Sequence, residues 1–255
     1  MPFQFSSCQA LLPQVGALYG PYTELFGEYI LQAHMTFERL GLRPYVSRDM
    51  AALEHFSDTV STPLLSTFNP NICMFPEQNG LWIAVLDRDD KIIACQADRL
   101  VLIMPGTLEE DLTSLRLFYD DPDSSAAEGE HLTLSEPARG LAASIAGRIA
   151  YAGRLYVDSA WRGHGIGQVL SLLGHALSSA WWFPDHIVTL VRQEVRVTKP
   201  GGKFDYPRKE RGISWMQPDY PGTSDLWLYA KTPEDVAEQL EGAVRPTEHR
   251  ARSAA

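Results

Sequence analysis

The apolar residues near the start of the chain recur at helical spacing. Between residues 22 and 40 they fall three or four positions apart, and Gly41 then interrupts the run, so the pattern predicts an amphipathic helix that ends there. Ser47 or Asp49, whose side chains can both cap a helix, is expected to begin a second helix that ends before Pro63. The chain therefore opens on two predicted helices.

Two further parts of the chain show the short apolar runs and polar turns that are typical of β-hairpins. Residues 81–86 are apolar, residues 87–91 form a charged turn, and residues 92–104 resume a strand-like pattern, which together predict an antiparallel hairpin. Near the C-terminus, residues 213–216 and 226–230 are separated by a segment with proline and glycine. We expect a second hairpin there.

In the middle of the chain the pattern changes from strand to helix. Residues 149–157 form a β-prone run of apolar and aromatic residues, and the polar residues 158–161 end it before a glycine-rich turn. Beyond Gly165 the apolar residues return at steps of three and four, which predicts a helix with one apolar face. These residues are Ile166, Val169, Leu170, Leu173 and Leu177. The alternation at the start of residues 187–197 predicts the next strand.

The turn between this strand and helix has the composition of an anion-binding site. The first turn of a helix presents backbone N–H groups without an intrahelical partner, and the helix dipole adds roughly half a positive charge there. Gly163, Gly165 and Gly167 remove the Cβ atoms that would hold a phosphate away, while Arg162 and His164 add side-chain donors. We expect this turn to bind a pyrophosphate group.

Two common phosphate-binding loops do not match the turn. The dinucleotide fingerprint needs a glycine at its sixth position, where this chain has Gln168 or Leu170, depending on which glycine is taken as the first. The Walker A loop needs a lysine where its helix begins, and there is no lysine between Lys91 and Lys199. These residues argue against a Rossmann-type oxidoreductase and against a P-loop enzyme.

The turn does match the acyl-coenzyme A signature Arg/Gln-x-x-Gly-x-Gly/Ala. Residues 162–167 satisfy every fixed position, and with the flanking strand and helix the chain resembles the GNAT N-acetyltransferase superfamily. The resemblance implies a mixed α/β (α+β) fold in which a mostly antiparallel, twisted sheet is flanked by helices and two central strands splay apart. It also implies that acetyl-CoA, or another acyl-CoA, is the co-substrate. The residues expected to bind it are Leu155, Tyr156 and Val157 along the pantetheine arm, and Arg162, Gly163, His164, Gly165, Ile166 and Gly167 around the pyrophosphate.

The resemblance further implies direct transfer of the acyl group to a primary amine of a small molecule, peptide or protein. In this superfamily a tyrosine ahead of a Gly-Phe pair commonly protonates the departing thiolate, and Tyr206, which precedes Gly212, matches it best. The spacing is longer than usual, and Tyr220 and Tyr229 are rivals. The asparagine that is frequent in this segment is absent, and no general base stands out. A GNAT-fold acyl-CoA-binding or regulatory module without turnover is therefore the alternative.

Length and pattern together predict one domain with additions. Residues 1–20 show no clear period and are expected to form an arm, residues 21–240 the GNAT-like domain, and residues 241–255 a loose tail. Residues 105–147 are longer than a hairpin connection needs and predict an insertion, either a substrate lid or a decoration of the fold. Within the insertion, residues 108–119 are expected to form a helix.

Composition and charge narrow the expected partners. The chain of 255 residues has a formal net charge of −10, which disfavours nucleic-acid binding. No apolar run approaches the roughly 20 residues that span a bilayer, and no basic and then apolar leader is seen, so we expect a cytoplasmic protein without a membrane partner. Cys8, Cys73 and Cys95 have neither zinc nor disulfide spacing and are expected to be inert thiols. The sequence leaves a homodimer open.

The histidines indicate no second chemistry. His175 lies away from the apolar stripe of the central helix and is expected to face solvent. His34, His55 and His131 lack the spacing of metal ligands, so no metal is expected. A serine hydrolase of the α/β type would need a Gly-x-Ser-x-Gly turn, which the chain does not contain.

Overall fold

The structure is a computed structural model of the chain. It describes residues 8–12, 20–60, 62, 64–193, 206–218 and 223–245. Tyr220 and the part of the expected strand 187–197 beyond residue 193 lie outside the described residues.

Within these ranges, the structure contains both strands and helices. The strands are β1 Cys8–Ala10, β2 Arg43–Ser47, β3 Gly80–Leu86, β4 Ile92–Ile103, β5 His131–Leu134, β6 Gly147–Val157, β7 His186–Arg192, β8 Arg208–Met216 and β9 Thr223–Lys231. The helices are α1 Thr23–Arg39, α2 Met50–Thr59, α3 Leu108–Thr113, α4 Pro122–Ser125, α5 Glu136–Ala143, α6 Ile166–Trp182 and α7 Pro233–Val244.

The described strands form one sheet in the order β1-β2-β3-β4-β6-β7-β9-β8-β5. The neighbours β6 and β7 are parallel, because α6 carries the chain from the end of one to the start of the other, and the remaining neighbours are antiparallel. This topology confirms the predicted fold class, a mixed and mostly antiparallel sheet flanked by helices. The hairpin, motif strand, central helix and closing hairpin also follow one another in the order that the GNAT resemblance implies.

Each face of the sheet is covered by its own apolar core. On one face, α1, α6 and α7 pack together and against the sheet, with Phe37, Leu173 and Leu240 fully buried between them. On the other face, α2 and the segment that contains α3 and α5 cover the sheet around Trp82 and Phe118. The domain is therefore a three-layer structure, and α6 lies inside one of its outer layers.

The two predicted N-terminal helices and the first hairpin are confirmed. Asp49 caps α2, its carboxylate accepting a hydrogen bond from the backbone N–H of Ala52 at 3.0 Å. The hairpin of β3 and β4 turns through residues 87–91, where Asp87 accepts hydrogen bonds from the N–H groups of Asp89 and Lys91. The carboxylate of Asp87 thus fixes the turn that the charged residues predicted.

The segment predicted as an insertion is built into the domain. Its strand β5 pairs with β8 and extends the sheet, and Leu117, Phe118 and Ala138 are buried in the core. The single helix expected over residues 108–119 is wrong in length, since α3 ends at Thr113. The chain then turns sharply, with Leu115 in the left-handed region at φ 62°.

Other boundaries differ because strand pairing overrides weak local patterns. β2 follows the first helix almost at once, and β1 within the predicted arm pairs with it. The closing hairpin begins earlier than residue 213, because Arg208 and the three residues after it already pair with β9. The final helix extends to Val244, so the tail expected from residue 241 would begin inside it.

Candidate functional site

The turn that leaves β6 is tied to the neighbouring strand β4. The backbone N–H of Asp158 donates to the carbonyl oxygen of Ile93 at 2.7 Å, and its side chain accepts from the N–H of Ala160 at 3.0 Å. Lys91 on the β3–β4 turn forms an ion pair of 2.7 Å with the same carboxylate, which lowers the pKa of Asp158. These bonds fix the position at which the chain enters the glycine-rich turn.

The glycines of the turn adopt backbone conformations that other residues avoid. Gly163 has φ 88°, and Gly165, the N-cap of α6, has φ 76°. A Cβ atom at either position would meet no atom of the described residues within 4 Å. Both glycines therefore face open space beside the first turn of a 17-residue helix, whose leading N–H groups have no intrahelical acceptor. This geometry suits an anionic group such as a pyrophosphate.

The two polar side chains of the turn are exposed and lie against its flanks. Arg162 donates from Nε to the carbonyl oxygen of Val157 at 3.2 Å, so its guanidinium lies at the end of β6. The ring of His164 contacts that of Trp161 edge-on, with 6.2 Å between ring centres. Both side chains border the open space in front of the glycines without filling it.

The strands β6 and β7 part soon after they meet. Their ladder runs from the pair Ile149 and His186 to the pair Tyr151 and Val188, and no described pairing joins them beyond it. Residues 152–157 of β6 then have a neighbour on the β4 side, while β7 continues beside β9. The expected splay of the central strands is thus present, and it leaves a strand edge that leads to the N-terminus of α6.

The free part of β6 contains an irregularity. Its register with β4 shifts between Cys95 and Ala97, and Arg154 in the facing stretch has φ 51°. The guanidinium of Arg154 donates to the Ser57 hydroxyl at 3.0 Å, which ties the bulge to α2. Leu155, the next residue, and its two successors are half-buried. Leu155 and Val157 pack against the core on the α6 side of the sheet and Tyr156 against the core on the other side, while their backbone runs on towards the glycine turn.

Tyr206 lies beneath the point where the strands part, on the face of the sheet that α6 covers. It is 2% exposed, and its hydroxyl is 3.0 Å from Nε2 of His175. Its ring contacts that of Tyr229, the partner in register of Thr189, which is the first residue of β7 beyond the ladder. Burial foremost, and then the Asp98 carboxyl, raise the pKa of Tyr206 well above its ordinary value.

The expectation that His175 faces solvent is wrong. The imidazole is 1% exposed, because α6 is covered on two sides, by the sheet and by the helices α1 and α7. Burial foremost, and then the charge of Lys231, lower the pKa of His175 well below its ordinary value. The ring is therefore neutral at physiological pH.

Two further charged residues complete a buried polar cluster with Tyr206 and His175. Asp98 on β4 and Lys231 on β9 are both 0% exposed. Asp98 accepts a hydrogen bond from the Gln96 amide at 3.2 Å, and Lys231 donates to Gln239 of α7 at 2.8 Å while its ammonium lies 4.3 Å from the centre of the Tyr206 ring. Burial raises the pKa of Asp98 to about 7, against the opposing effects of the Gln96 hydrogen bond and the Lys231 charge.

Sequence reasoning did not identify this cluster. Gln96 and Asp98 are two positions apart in a mostly apolar strand, which places both side chains on the same face. Gly174 in the middle of α6 is the second signal, because a Cβ there would come within 2.4 Å of Gln96 and 2.8 Å of Asp98. Together these two signals indicate that a polar group packs beneath the helix.

The remaining chemical features are the cysteines, the potential metal ligands and the apolar helices. Cys73 and Cys95 are free and buried, as expected of inert thiols, and burial raises the pKa of both. Among the described residues there is no group of three or more potential metal ligands. Nor does the described part of the chain include a helix that is long and apolar enough to cross a membrane.

The chain was compared with known proteins, and several solved structures resemble it in fold. No protein-family model matches the sequence, and neither does any curated protein. Arabidopsis thaliana NAA60 in complex with acetyl-CoA is 16% identical over 75% of this chain and 98% of its own, with a TM-score of 0.40. The NatC complex bound to Gag peptide and CoA is 14% identical over 72% and 91%, with a TM-score of 0.41. A GNAT-family acetyltransferase from Streptococcus pneumoniae is 10% identical over 74% and 98%, with a TM-score of 0.35.

These identities and TM-scores are too low to carry an argument about this chain. The grounds for relating it to the GNAT superfamily are therefore its own features, namely the order of the described strands, the parting of β6 from β7 and the glycine turn that opens α6.

Proposed function

We propose that the protein is an acyl-CoA-dependent N-acyltransferase, most simply an N-acetyltransferase, that acts on a primary amine of a small molecule, peptide or protein. One observation carries this proposal. The left-handed glycines Gly163 and Gly165 face open space at the N-terminus of α6, and the free edge of β6 beside β7 leads directly to them. The proposal is supported by the succession of a stretch of β6 without a described neighbour on the β7 side and a glycine turn at a helix N-terminus.

The chemistry of an acyl-CoA co-substrate matches this surface. Its pyrophosphate would lie on the backbone N–H groups at the start of α6, where the helix dipole favours negative charge, with Arg162 and His164 at the side. The amide groups of its pantetheine arm would pair with the backbone of Leu155, Tyr156 and Val157, as an added strand pairs with a sheet edge. The thioester would then lie near the point where β6 and β7 part.

The reaction needs proximity and proton transfer more than it needs many side chains. The amine nitrogen attacks the thioester carbonyl, the C–S bond breaks, and the departing sulfur takes a proton while the amine gives one up. We propose that Tyr206 supplies the proton to sulfur, because it lies under the parting strands and is the described tyrosine that best matches the family's acid. Its rival Tyr229 contacts it directly, so either change would disturb the same place.

A specific observation favours the alternative, a GNAT-fold module that binds acyl-CoA without turnover. The Tyr206 hydroxyl is buried and is bonded to His175 within the protein. If that bond is not exchanged for one to the substrate, Tyr206 is a structural residue. Release of free thiol from acetyl-CoA in the presence of a panel of amines, compared between the wild type and Tyr206→Phe, separates the two functions.

The binding proposal is tested by thermal unfolding with and without acetyl-CoA. A ligand at about 100 times its dissociation constant adds about 2.7 kcal/mol to stability, which at roughly 2–4 °C per kcal/mol for a chain of this size raises the Tm by roughly 5–11 °C. Gly165→Asn and Gly165→Asp form a matched pair, since both side chains tolerate the left-handed conformation and differ only in charge.

The two variants are expected to differ in stability without ligand and in the rise in Tm that acetyl-CoA causes. Without ligand, Gly165→Asp should be at least as stable as Gly165→Asn, because a carboxylate is favourable at a helix N-terminus. With acetyl-CoA, the Asp variant should show the smaller rise in Tm, because the carboxylate repels the pyrophosphate. Equal responses of the wild type and both variants, or no response of the wild type to acetyl-CoA or to longer acyl-CoA species, would contradict the proposal.

A further inference from the structure

The buried cluster under α6 joins titratable groups from four parts of the fold at the point where β6 and β7 part. Asp98 pairs in register with Ala152, the first residue of β6 beyond the β6–β7 ladder, so it lies level with the opening and one strand away from it. His175 comes from α6, Tyr206 from the chain entering β8, and Lys231 from β9. A cluster of this kind is costly to bury unless its polar atoms are paired.

Two atoms of the cluster are not paired. Among the described residues, Oδ2 of Asp98 and Nδ1 of His175 have no hydrogen-bond partner, although both atoms are buried. Each belongs to a group whose other polar atom is bonded, Oδ1 to Gln96 and Nε2 to Tyr206. Asp98 faces α6 at Gly174, the residue directly before His175. The two unpaired atoms therefore lie in the same part of the core.

A carboxyl oxygen and an imidazole nitrogen are complementary when one proton is shared between them. If Asp98 holds the proton, its hydroxyl donates to Nδ1 through one water molecule, and Nε2–H donates to the Tyr206 oxygen, which leaves the Tyr206 proton for another acceptor. If Asp98 is ionised, Nδ1–H donates towards Asp98 and Nε2 accepts the Tyr206 proton. The charge on Asp98 thus decides whether Tyr206 can donate.

We propose that Asp98, His175 and Tyr206 form a buried proton relay that controls the donor state of the Tyr206 hydroxyl. The proposal rests on the proposed acyl transfer for its role in catalysis. As the S–H bond of the leaving thiol forms, the Tyr206 O–H bond breaks, the Nε2 proton passes to the Tyr206 oxygen, and the Asp98 proton passes to Nδ1. The carboxylate takes back, along the reverse path, the proton that the attacking amine releases. Tyr206 would contact the reacting atoms, and His175 and Asp98 are positioning residues.

The groups around the relay suit this exchange. Lys231 faces it from β9 and disfavours a second positive charge, so His175 passes a proton on without becoming an imidazolium. Gln96 from β4 and Tyr229 from β9 are the other polar neighbours, and Gln239 from α7 holds the Lys231 ammonium. The pKa of about 7 for Asp98 supports a carboxyl that changes its protonation near neutral pH.

The state of His175 can be tested without any substrate. In protein labelled with nitrogen-15 histidine, the ring of His175 is identified by its loss in His175→Gln and by its remaining neutral from pH 5 to pH 9. We expect its proton to move from Nε2 to Nδ1 as the pH rises through about 7. In Asp98→Asn this change should disappear. A His175 tautomer that stays the same across the range in the wild type overturns the relay, whether or not the variant folds.

Kinetics then test the link to acyl transfer. Asp98→Asn and His175→Gln should each lower kcat by about tenfold or more and abolish its change near pH 7, with an unchanged KM for acetyl-CoA. Ser179→Ala is the matched control, because Ser179 is buried on the same helix and its hydroxyl has no described partner. Wild-type kcat in both relay variants overturns the relay. A pH-dependent His175 tautomer in a protein that neither binds nor uses acyl-CoA instead overturns the proposed function alone.

Discussion

The buried carboxyl of Asp98 predicts an unusual dependence of stability on pH. Its pKa is about 7 in the folded protein, against 3.8 for the free side chain. Between these values the folded state binds one proton more than the unfolded state, so the free energy of unfolding falls as the pH rises. The shift is about 3 pKa units at about 1.4 kcal/mol each, which gives a loss of about 4 kcal/mol between pH 4 and pH 8.

The measurement is urea unfolding of the wild type and of Asp98→Asn at a series of pH values from 4.5 to 8.5. Asparagine keeps the shape of the side chain but does not titrate, so contributions from all other groups cancel in the difference between the two proteins. We expect the wild type to lose about 3 kcal/mol relative to the variant across this range, because part of the total loss already occurs below pH 4.5.

The same comparison of the wild type with Asp98→Asn can also contradict the prediction. If Lys231 held Asp98 as an ordinary ion pair, the folded pKa of the carboxyl would lie below 3.8, and the wild type would gain stability relative to Asp98→Asn as the pH rises. A flat or rising difference would therefore show that burial does not dominate the titration of this group.

Three further changes test the packing around the site by urea unfolding at pH 7. Gly153→Ala should cost about 1–3 kcal/mol, because the new Cβ would lie 2.7 Å from the buried ring of Phe68. Phe118→Ala should cost about 3–5 kcal/mol if the segment 105–147 is part of the core, and a loss below 1 kcal/mol would make it a detachable decoration. Lys91→Met should cost less than about 1 kcal/mol at low salt and nothing at 1 M salt, since its ion pair with Asp158 is exposed on the lysine side.

The features that sequence predicted well are those that local chemistry dictates. The left-handed turn at Gly163 and Gly165 is set by the absence of side chains, and the strand and helix around it by the change of apolar period. Asp49 and the charged turn after β3 are likewise local signals. These signals sufficed to predict the strand, the turn and the helix in their correct order, and the binding role of their residues stays a prediction.

The features that sequence missed depend on contacts between distant parts of the chain. His175 was expected in solvent because an amphipathic helix normally has one buried face, whereas α6 is packed on two sides and also buries Ser178 and Ser179. The buried environment of Asp98 is likewise made by distant residues, since the helix that covers it at Gly174 and the charge of Lys231 both come much later in the chain. The three-residue strand β1 and the four-residue strand β5 exist because longer strands pair with them.

These two short strands have a consequence for the behaviour of the protein in solution. Both lie at the two ends of the described sheet, so each of its terminal strands is only three or four residues long. Short edges are a common protection against aggregation, because they give a second chain too few hydrogen bonds to join. Loss of β5 would expose the backbone of β8 from Ile213 to Met216, a segment with Trp215 in it. By covering β8 with a short strand, the segment 105–147 therefore also limits the pairing of further strands at this end of the sheet.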